Sequence, residues 1–256
     1  MGKDIGSRGD LWLVRTKPNP AAELRLFCFP YAGGAASLFR AWHRISETVE
    51  ICAIQLPGRA NRYSEPPFRR ASALVEKLAP VIAGCLDKPF AFFGHSMGAI
   101  LCFEVARWLR RHGKPLPRFL FVSARRAPQI PDTDLPRYLL NDADLLASLS
   151  ELNGMPAELM EHKELVSLAL PAIRADIELV ETYEYRDEAP LGCPITAFSG
   201  LADNEEPPVM IDDWREQTSR GFSMHKLSGD HFYIHSREEE LLTLLRADLD
   251  RILVCV

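Results

Sequence analysis

The chain has 256 residues, 47% of them hydrophobic, enough to bury the core of one large α/β domain. Its 30 basic and 35 acidic residues give a net charge of −5, which argues against a general nucleic-acid binder, a class that normally carries a basic stripe. No apolar run approaches the roughly 18–20 residues of a membrane span. MGKDIGSRGD at the start lacks the apolar centre of a signal peptide and the Ser or Thr of a myristoylation site, so a cytoplasmic protein with no membrane contact is expected.

LWLV (11–14) reads as an antiparallel edge strand. Six apolar runs follow: LRLFCFP (24–30), VEICAIQLP (49–57), PFAFFG (89–94), RFLFVSA (118–124), CPITAFSG (193–200) and FSMHKLSG (222–229). With little alternation and many Phe, Ile, Val and Leu residues, they predict parallel strands covered on both faces. Helical patterns near 36–47, 70–86, 97–112, 208–219 and 237–252 separate them. Strand alternating with helix implies right-handed crossovers and a doubly wound, mostly parallel α/β sheet. The six cysteines form no CxxC pair or zinc spacing and read as reduced core residues.

The interval between Ala124 and Cys193 is far longer than a crossover needs. It carries helical apolar patterns at Leu145, Leu146, Leu149 and Leu152, then at Leu165, Leu168, Ala169, Ile173, Ile177 and Val180. We read residues 127–187 as a helical lid inserted above the C-terminal edge of the sheet, where ligands bind in such folds; the alternative is helices that only enlarge the core.

GHSMG (94–98) matches Gly-x-Ser-x-Gly, with a strand before it and a helix after it. A strand turning sharply into a helix strains the central residue and leaves no room for side chains at Gly94 and Gly98. It also exposes the Ser96 hydroxyl above the helix N-terminus. Ser96 is therefore the candidate nucleophile, against a serine that merely caps the helix.

A serine needs a base and the base an orienting acid, here expected in the order serine–acid–histidine. Of His112, His162, His225, His231 and His235, only His231 directly follows the last strand, and it is the chosen base; His235 is the reserve. Asp203 ends the penultimate strand and is the chosen acid, with Glu205, Glu206 and Asp230 as rivals. An oxyanion needs backbone donors: the Met97 amide directly after the serine, and the Ala32 amide in FPYAGGAAS (29–37).

FCFPYAGG, QLPGRANRYSEPP, PFAFFGHSMGA, IRADIELVETY and LSGDHFY, in this order from about Trp12 to Leu249, resemble the type II thioesterases. These are free-standing α/β-hydrolases serving polyketide and nonribosomal peptide synthetases, related to the medium-chain acyl hydrolase of fatty-acid synthesis. The resemblance implies one α/β-hydrolase domain over 1–256 with a lid over an acyl pocket. It makes Ser96, Asp203 and His231 a triad that hydrolyses acyl thioesters on the phosphopantetheine arm of a separate acyl or peptidyl carrier protein, with no metal or cofactor. The chain departs from the family's pattern around the acid, reading SGLADNEEPP where many relatives have Gly-Asp-x-Asp. A monomer is expected. The rivals are a small-molecule esterase or lipase, a medium-chain acyl-carrier or acyl-CoA thioesterase, and a non-catalytic carrier-binding subunit. Arg125 and Arg126, directly after a strand, are either a docking patch for an acidic carrier or a solvated charge pair.

Overall fold

The computed structural model describes residues 11–133, 135–151 and 162–254. Among these residues seven strands form one sheet: β1 (Leu13–Val14), β2 (Leu24–Phe29), β3 (Val49–Ile54), β4 (Phe90–His95), β5 (Leu120–Ser123), β6 (Ile195–Gly200) and β7 (Phe222–Leu227). Their spatial order is β1-β3-β2-β4-β5-β6-β7, with only β1 antiparallel. The mostly parallel doubly wound sheet expected from the sequence is thus present, including its antiparallel edge.

Strands β2 to β6 are buried along their whole length. Alternate residues serve two cores. Phe27 and Phe29 pack with α1 (Ala71–Ala83) and α2 (Met97–Arg111), while Leu24, Leu26 and Cys28 pack with Trp42 and the C-terminal helix Glu238–Val254. β7 departs from the expectation of two covered faces: it is the sheet edge, and most of its residues are half-buried or exposed.

The segment 36–47 is not an α-helix but two 3-10 turns, Ala36–Phe39 and Trp42–Ile45. Phe39 ends the first turn and Trp42 opens the second, and both rings pack against Phe93, with their own centroids 4.9 Å apart. The pattern at 208–219 likewise divides into a short α-helix, Pro208–Asp212, and a 3-10 turn, Asp213–Gln217.

Between β5 and β6 lie a 3-10 turn (Arg137–Leu139), α3 (Asp142–Glu151) and α4 (Lys163–Glu181). Leu152 lies outside the described residues. Leu145, Val166, Leu170, Ile173 and Ile177 make a small core of their own. Leu165 and Leu168 stand outside it, 50% and 48% exposed, because the buried stripe of α4 runs at Val166, Leu170, Ile173 and Ile177. Of the cysteines, Cys28, Cys52, Cys102 and Cys193 are buried free thiols and Cys85 is half-buried; Cys255 lies outside the described residues.

The chain leaves β2 toward one edge and returns at β4 to build toward the other, so the strand order reverses between β2 and β4. Such a reversal leaves a crevice beyond the strand ends. The pairings Phe29↔Gly94 and His95↔Ser123 align the ends of β2, β4 and β5 at this crevice.

Candidate active site

Ser96 joins β4 to α2 at φ 53°, ψ −117°, a backbone conformation that costs a non-glycine residue about 1–3 kcal/mol. Its amide donates to the Ser123 carbonyl at 2.8 Å and its carbonyl accepts from Ala99 at 2.9 Å, which holds the strained residue between strand and helix. A Cβ on Gly94 would lie 2.1 Å from the Gly98 carbonyl oxygen, and one on Gly98 would lie 2.2 Å from that of Phe29. Both glycines are therefore required by backbone contact.

His231 lies beyond the end of β7. Its Nε2 is 3.0 Å from Ser96 Oγ and its Nδ1 is 2.9 Å from Asp203 Oδ2. A carboxylate only accepts, so in the neutral ring Nδ1 carries the proton and Nε2 turns its lone pair to the serine hydroxyl. The Asp203 side chain is fully buried, and its Oδ1 accepts the amides of Glu205 and Glu206, each at 3.0 Å. The acid and histidine loops press together at Gly200, where a Cβ would come within 2.6 Å of the Asp230 carbonyl.

The structure separates Asp203 from its rivals. Glu205 pairs with Arg137, and Glu206 is buried against Arg125 and Arg126. Asp230 turns its carboxylate to the Phe232 amide. Among the other histidines, His112 stacks on Trp108, His162 precedes α4 and is exposed, and His225 lies within β7 near Asp248. His235 lies at the cavity rim, 2.9 Å from the Tyr31 hydroxyl, and burial lowers its pKa.

Arg125 and Arg126 are not a solvated pair, and they offer little exposed surface for docking. They are 8% and 6% exposed, and Glu206 takes Arg125 Nη1 at 2.8 Å, Arg126 Nε at 2.8 Å and the Arg126 amide at 2.9 Å. Both line the cavity that holds Ser96, turned onto this shared carboxylate.

Tyr31 to Gly34 form a turn closed by Gly34 N–H to Tyr31 C=O at 2.9 Å, with Gly33 at φ 80° as a type II turn demands at its third residue. Ala32 and Ser96 line the same cavity of about 440 Å³, walled on one side by Ala169, Ile173, Ile177 and Val180 of α4. Met97 is the first residue of α2, so its amide has no preceding helical carbonyl. A larger hollow of about 640 Å³ lies at the other end of the strands, between Lys88, Pro117 and Arg220, and contains none of these residues. Among the described residues, no group of three His, Cys, Asp or Glu side chains could hold a metal ion, and no helix is long and apolar enough to cross a membrane.

The sequence reading passed over His95. It is fully buried between Ser123 and the His231 carbonyl, at 2.9 and 3.0 Å, and its imidazole pKa is driven well below the usual value by burial and then by the neighbouring His231. Its place directly before the nucleophile was the available signal.

A strained serine above a helix N-terminus, hydrogen-bonded to a histidine that is itself bonded to a buried aspartate, is the equipment of acyl transfer. The thioesterase domain model matches residues 24–249. The chain belongs to the thioesterase family. It is 42% identical over 247 residues to the protein named linear gramicidin dehydrogenase LgrE of Brevibacillus parabrevis, covering 95% of this chain and 94% of that one. It is also 42% identical to the gramicidin S biosynthesis protein GrsT of Aneurinibacillus migulanus, covering 96% and 97%. The type II thioesterase BorB, from the borrelidin biosynthetic cluster, superimposes with a TM-score of 0.86 at 37% identity, covering 93% of this chain and 98% of that one. This thioesterase therefore has the α/β-hydrolase fold and is a thioester hydrolase, as the resemblance to type II enzymes implied.

Proposed function

We propose that this thioesterase removes acyl groups from the phosphopantetheine arm of carrier proteins in polyketide or nonribosomal peptide biosynthesis, with Ser96 as nucleophile, His231 as base and Asp203 as orienting acid. The observation that carries the roles is the hydrogen-bonded chain Ser96–His231–Asp203, whose first two members line the α4-walled cavity. Relatives named for gramicidin and borrelidin biosynthesis support the carrier-bound substrate. In this reading the enzyme is a cytoplasmic monomer, and residues 127–187 are a lid over the acyl group.

Ser96 Oγ bonds to the thioester carbonyl carbon as its proton passes to His231 Nε2, and the C=O π pair moves onto oxygen. The Ala32 and Met97 amides donate to that oxyanion. The pair returns, the C–S bond breaks, and the thiolate takes the proton from His231. Water then repeats the sequence on the acyl-serine: His231 accepts its proton and returns it to Ser96 Oγ as the acid leaves. Asp203 keeps the imidazole in the useful tautomer and steadies its charged form.

The test compares hydrolysis of an acyl-carrier protein, the matching acyl-CoA and a simple oxygen ester by wild type and Ser96→Ala. The expected order of kcat/KM is carrier, then CoA, then ester, with Ser96→Ala folded and losing several powers of ten, about 10³ or more. Near-normal turnover by Ser96→Ala would overturn the nucleophile, and a preference for the oxygen ester would overturn the substrate class.

A further inference from the structure

QLPGR (55–59) and IRADIEL (173–179) are far apart in sequence and take no part in the steps above. They meet at the Tyr31–Gly34 turn. Asp176 of α4 is 2% exposed, and its Oδ2 accepts the Gly33 N–H at 2.7 Å. Its two carboxylate oxygens take Nη1 and Nη2 of Arg59 at 2.5 and 2.8 Å, fork against fork. Arg59 Nη1 also donates to the Gly34 carbonyl at 3.1 Å, and its Nε donates to that of Pro57 at 3.3 Å. Ile173, one turn earlier on α4, covers Gly33 so closely that a Cβ there would lie 2.8 Å from its Cγ1.

The turn is therefore gripped at two successive residues, at the N–H of Gly33 and the C=O of Gly34. Half of the grip comes from the inserted helix. A buried ion pair is a poor source of net stability, since apolar replacements are often as good or better. What apolar residues could not supply is the pair of directed bonds to the turn's backbone. Neither Asp176 nor Arg59 lines the cavity, so neither has a route to the substrate. Ala32, whose amide faces the developing charge in the reading above, is the residue just before Gly33. Oxyanion donors act only when aimed at the place where the oxygen will be, and small misplacements there are expensive in rate.

We propose that Asp176 and Arg59 are positioning residues for thioester hydrolysis: together they fix the Tyr31–Gly34 turn so that the Ala32 amide meets the oxyanion, which makes the oxyanion site depend on the seating of α4. The proposal rests on the assignment of Ser96 as nucleophile and Ala32 as donor.

The test uses the full chain with an acyl thioester of N-acetylcysteamine, which needs no carrier docking. Active sites are counted by complete fluorophosphonate labelling, so that rates refer to folded enzyme. Asp176→Ala is expected to lower kcat per site by about 10²-fold, the scale of one lost oxyanion donor, with KM changed less than about threefold. Asp176→Asn keeps an oxygen for the Gly33 amide and should recover at least tenfold of that loss. Affinity for an alkyl boronic acid, whose tetrahedral serine adduct fills the oxyanion site, should fall in step with kcat; a residue that only stabilises the fold would leave that affinity per site unchanged. If Asp176→Ala does not fold, Arg59→Lys and Asp176→Asn carry the test, and each should lose kcat and boronate affinity together. Wild-type kcat per site in the folded variants, or a fall in kcat with boronate affinity intact, would overturn the proposal. Active Ser96→Ala would instead overturn the underlying site, so the two failures are distinct.

Discussion

The backbone carbonyl of His231 accepts a hydrogen bond from His95 Nε2 at 3.0 Å. A carbonyl cannot donate, so Nε2 carries the proton and His95 Nδ1 accepts from Ser123 Oγ at 2.9 Å; Ser123 in turn accepts from the Tyr233 hydroxyl at 2.6 Å. A buried relay of neutral groups thus holds the backbone of the candidate base from below.

That relay predicts a sensitivity to acid. Burial drives the His95 pKa well below the ordinary value, so the folded protein leaves it neutral where the unfolded chain binds a proton. Below about pH 6.5 the unfolded state therefore holds more protons, and stability falls as pH falls, by up to about 1.4 kcal/mol per pH unit for this one group. His235, exposed at the cavity rim, shifts in the same direction, but solvent screens it and it adds little to the trend. Urea unfolding of wild type and His95→Gln at pH 7.5, 6 and 5 should show a flatter dependence in the variant. Parallel curves would refute the assignment.

Gly98→Ala is predicted to damage the molecule more than its size suggests. The new Cβ would meet the Phe29 carbonyl oxygen at 2.2 Å and that of Pro30 at 2.9 Å, both backbone atoms at the end of β2. Neither can move without shifting the Tyr31–Gly34 turn. The expected result is a loss of about 1–3 kcal/mol or more together with most activity. Gly221→Ala, where a Cβ meets nothing within 4 Å, is the matched control and should leave the urea midpoint and kcat nearly unchanged.

Asp203→Asn should lower kcat by about 10³–10⁴-fold, because an amide can present its N–H to His231 Nδ1 and favour the wrong tautomer. Asp230→Asn should stay within about fivefold of wild type, since an asparagine oxygen can still accept the Phe232 amide as Asp230 does at 2.9 Å. Steady-state kinetics on one acyl thioester decide the matter; the reverse ranking would move the acid away from Asp203.

The parts readable from sequence are those in which local chemistry dictates geometry. Buried parallel strands need unbroken apolar runs, and the elbow needs Gly94 and Gly98, so β2 to β6 and Ser96 lay in plain view. Helix type at 36–47 was not legible, because Phe39 and Trp42 both pack against Phe93, a distant partner. The buried face of α4 was misread at Leu165 and Leu168 because periodicity alone does not say which leucines meet the core. His95 was passed over because a histidine ending an apolar strand gives no sign of its partners. The Arg59–Asp176 pair spans 117 residues of chain, and no local pattern connects the two.

The last prediction concerns Arg125 and Arg126, whose charge alone suggested contact with an acidic partner. Both end on Glu206, which is 2% exposed and whose amide donates to Asp203 Oδ1 at 3.0 Å. Removing both side chains leaves the buried Glu206 carboxylate with only the backbone amide of residue 126 among the three donors of this pair, next to the Asp203 carboxylate that bonds His231 Nδ1. Breaking a buried pair from one side costs about 3–5 kcal/mol. Arg125→Ala/Arg126→Ala should therefore lower the melting temperature and slow hydrolysis of an acyl-carrier protein and of the matching small thioester by the same factor. That factor should not shrink with added salt, because no long-range steering is lost. Arg125→Met/Arg126→Met/Glu206→Leu removes the stranded charge and should restore most of the stability. A loss confined to the carrier substrate and abolished by salt would return these arginines to a docking role.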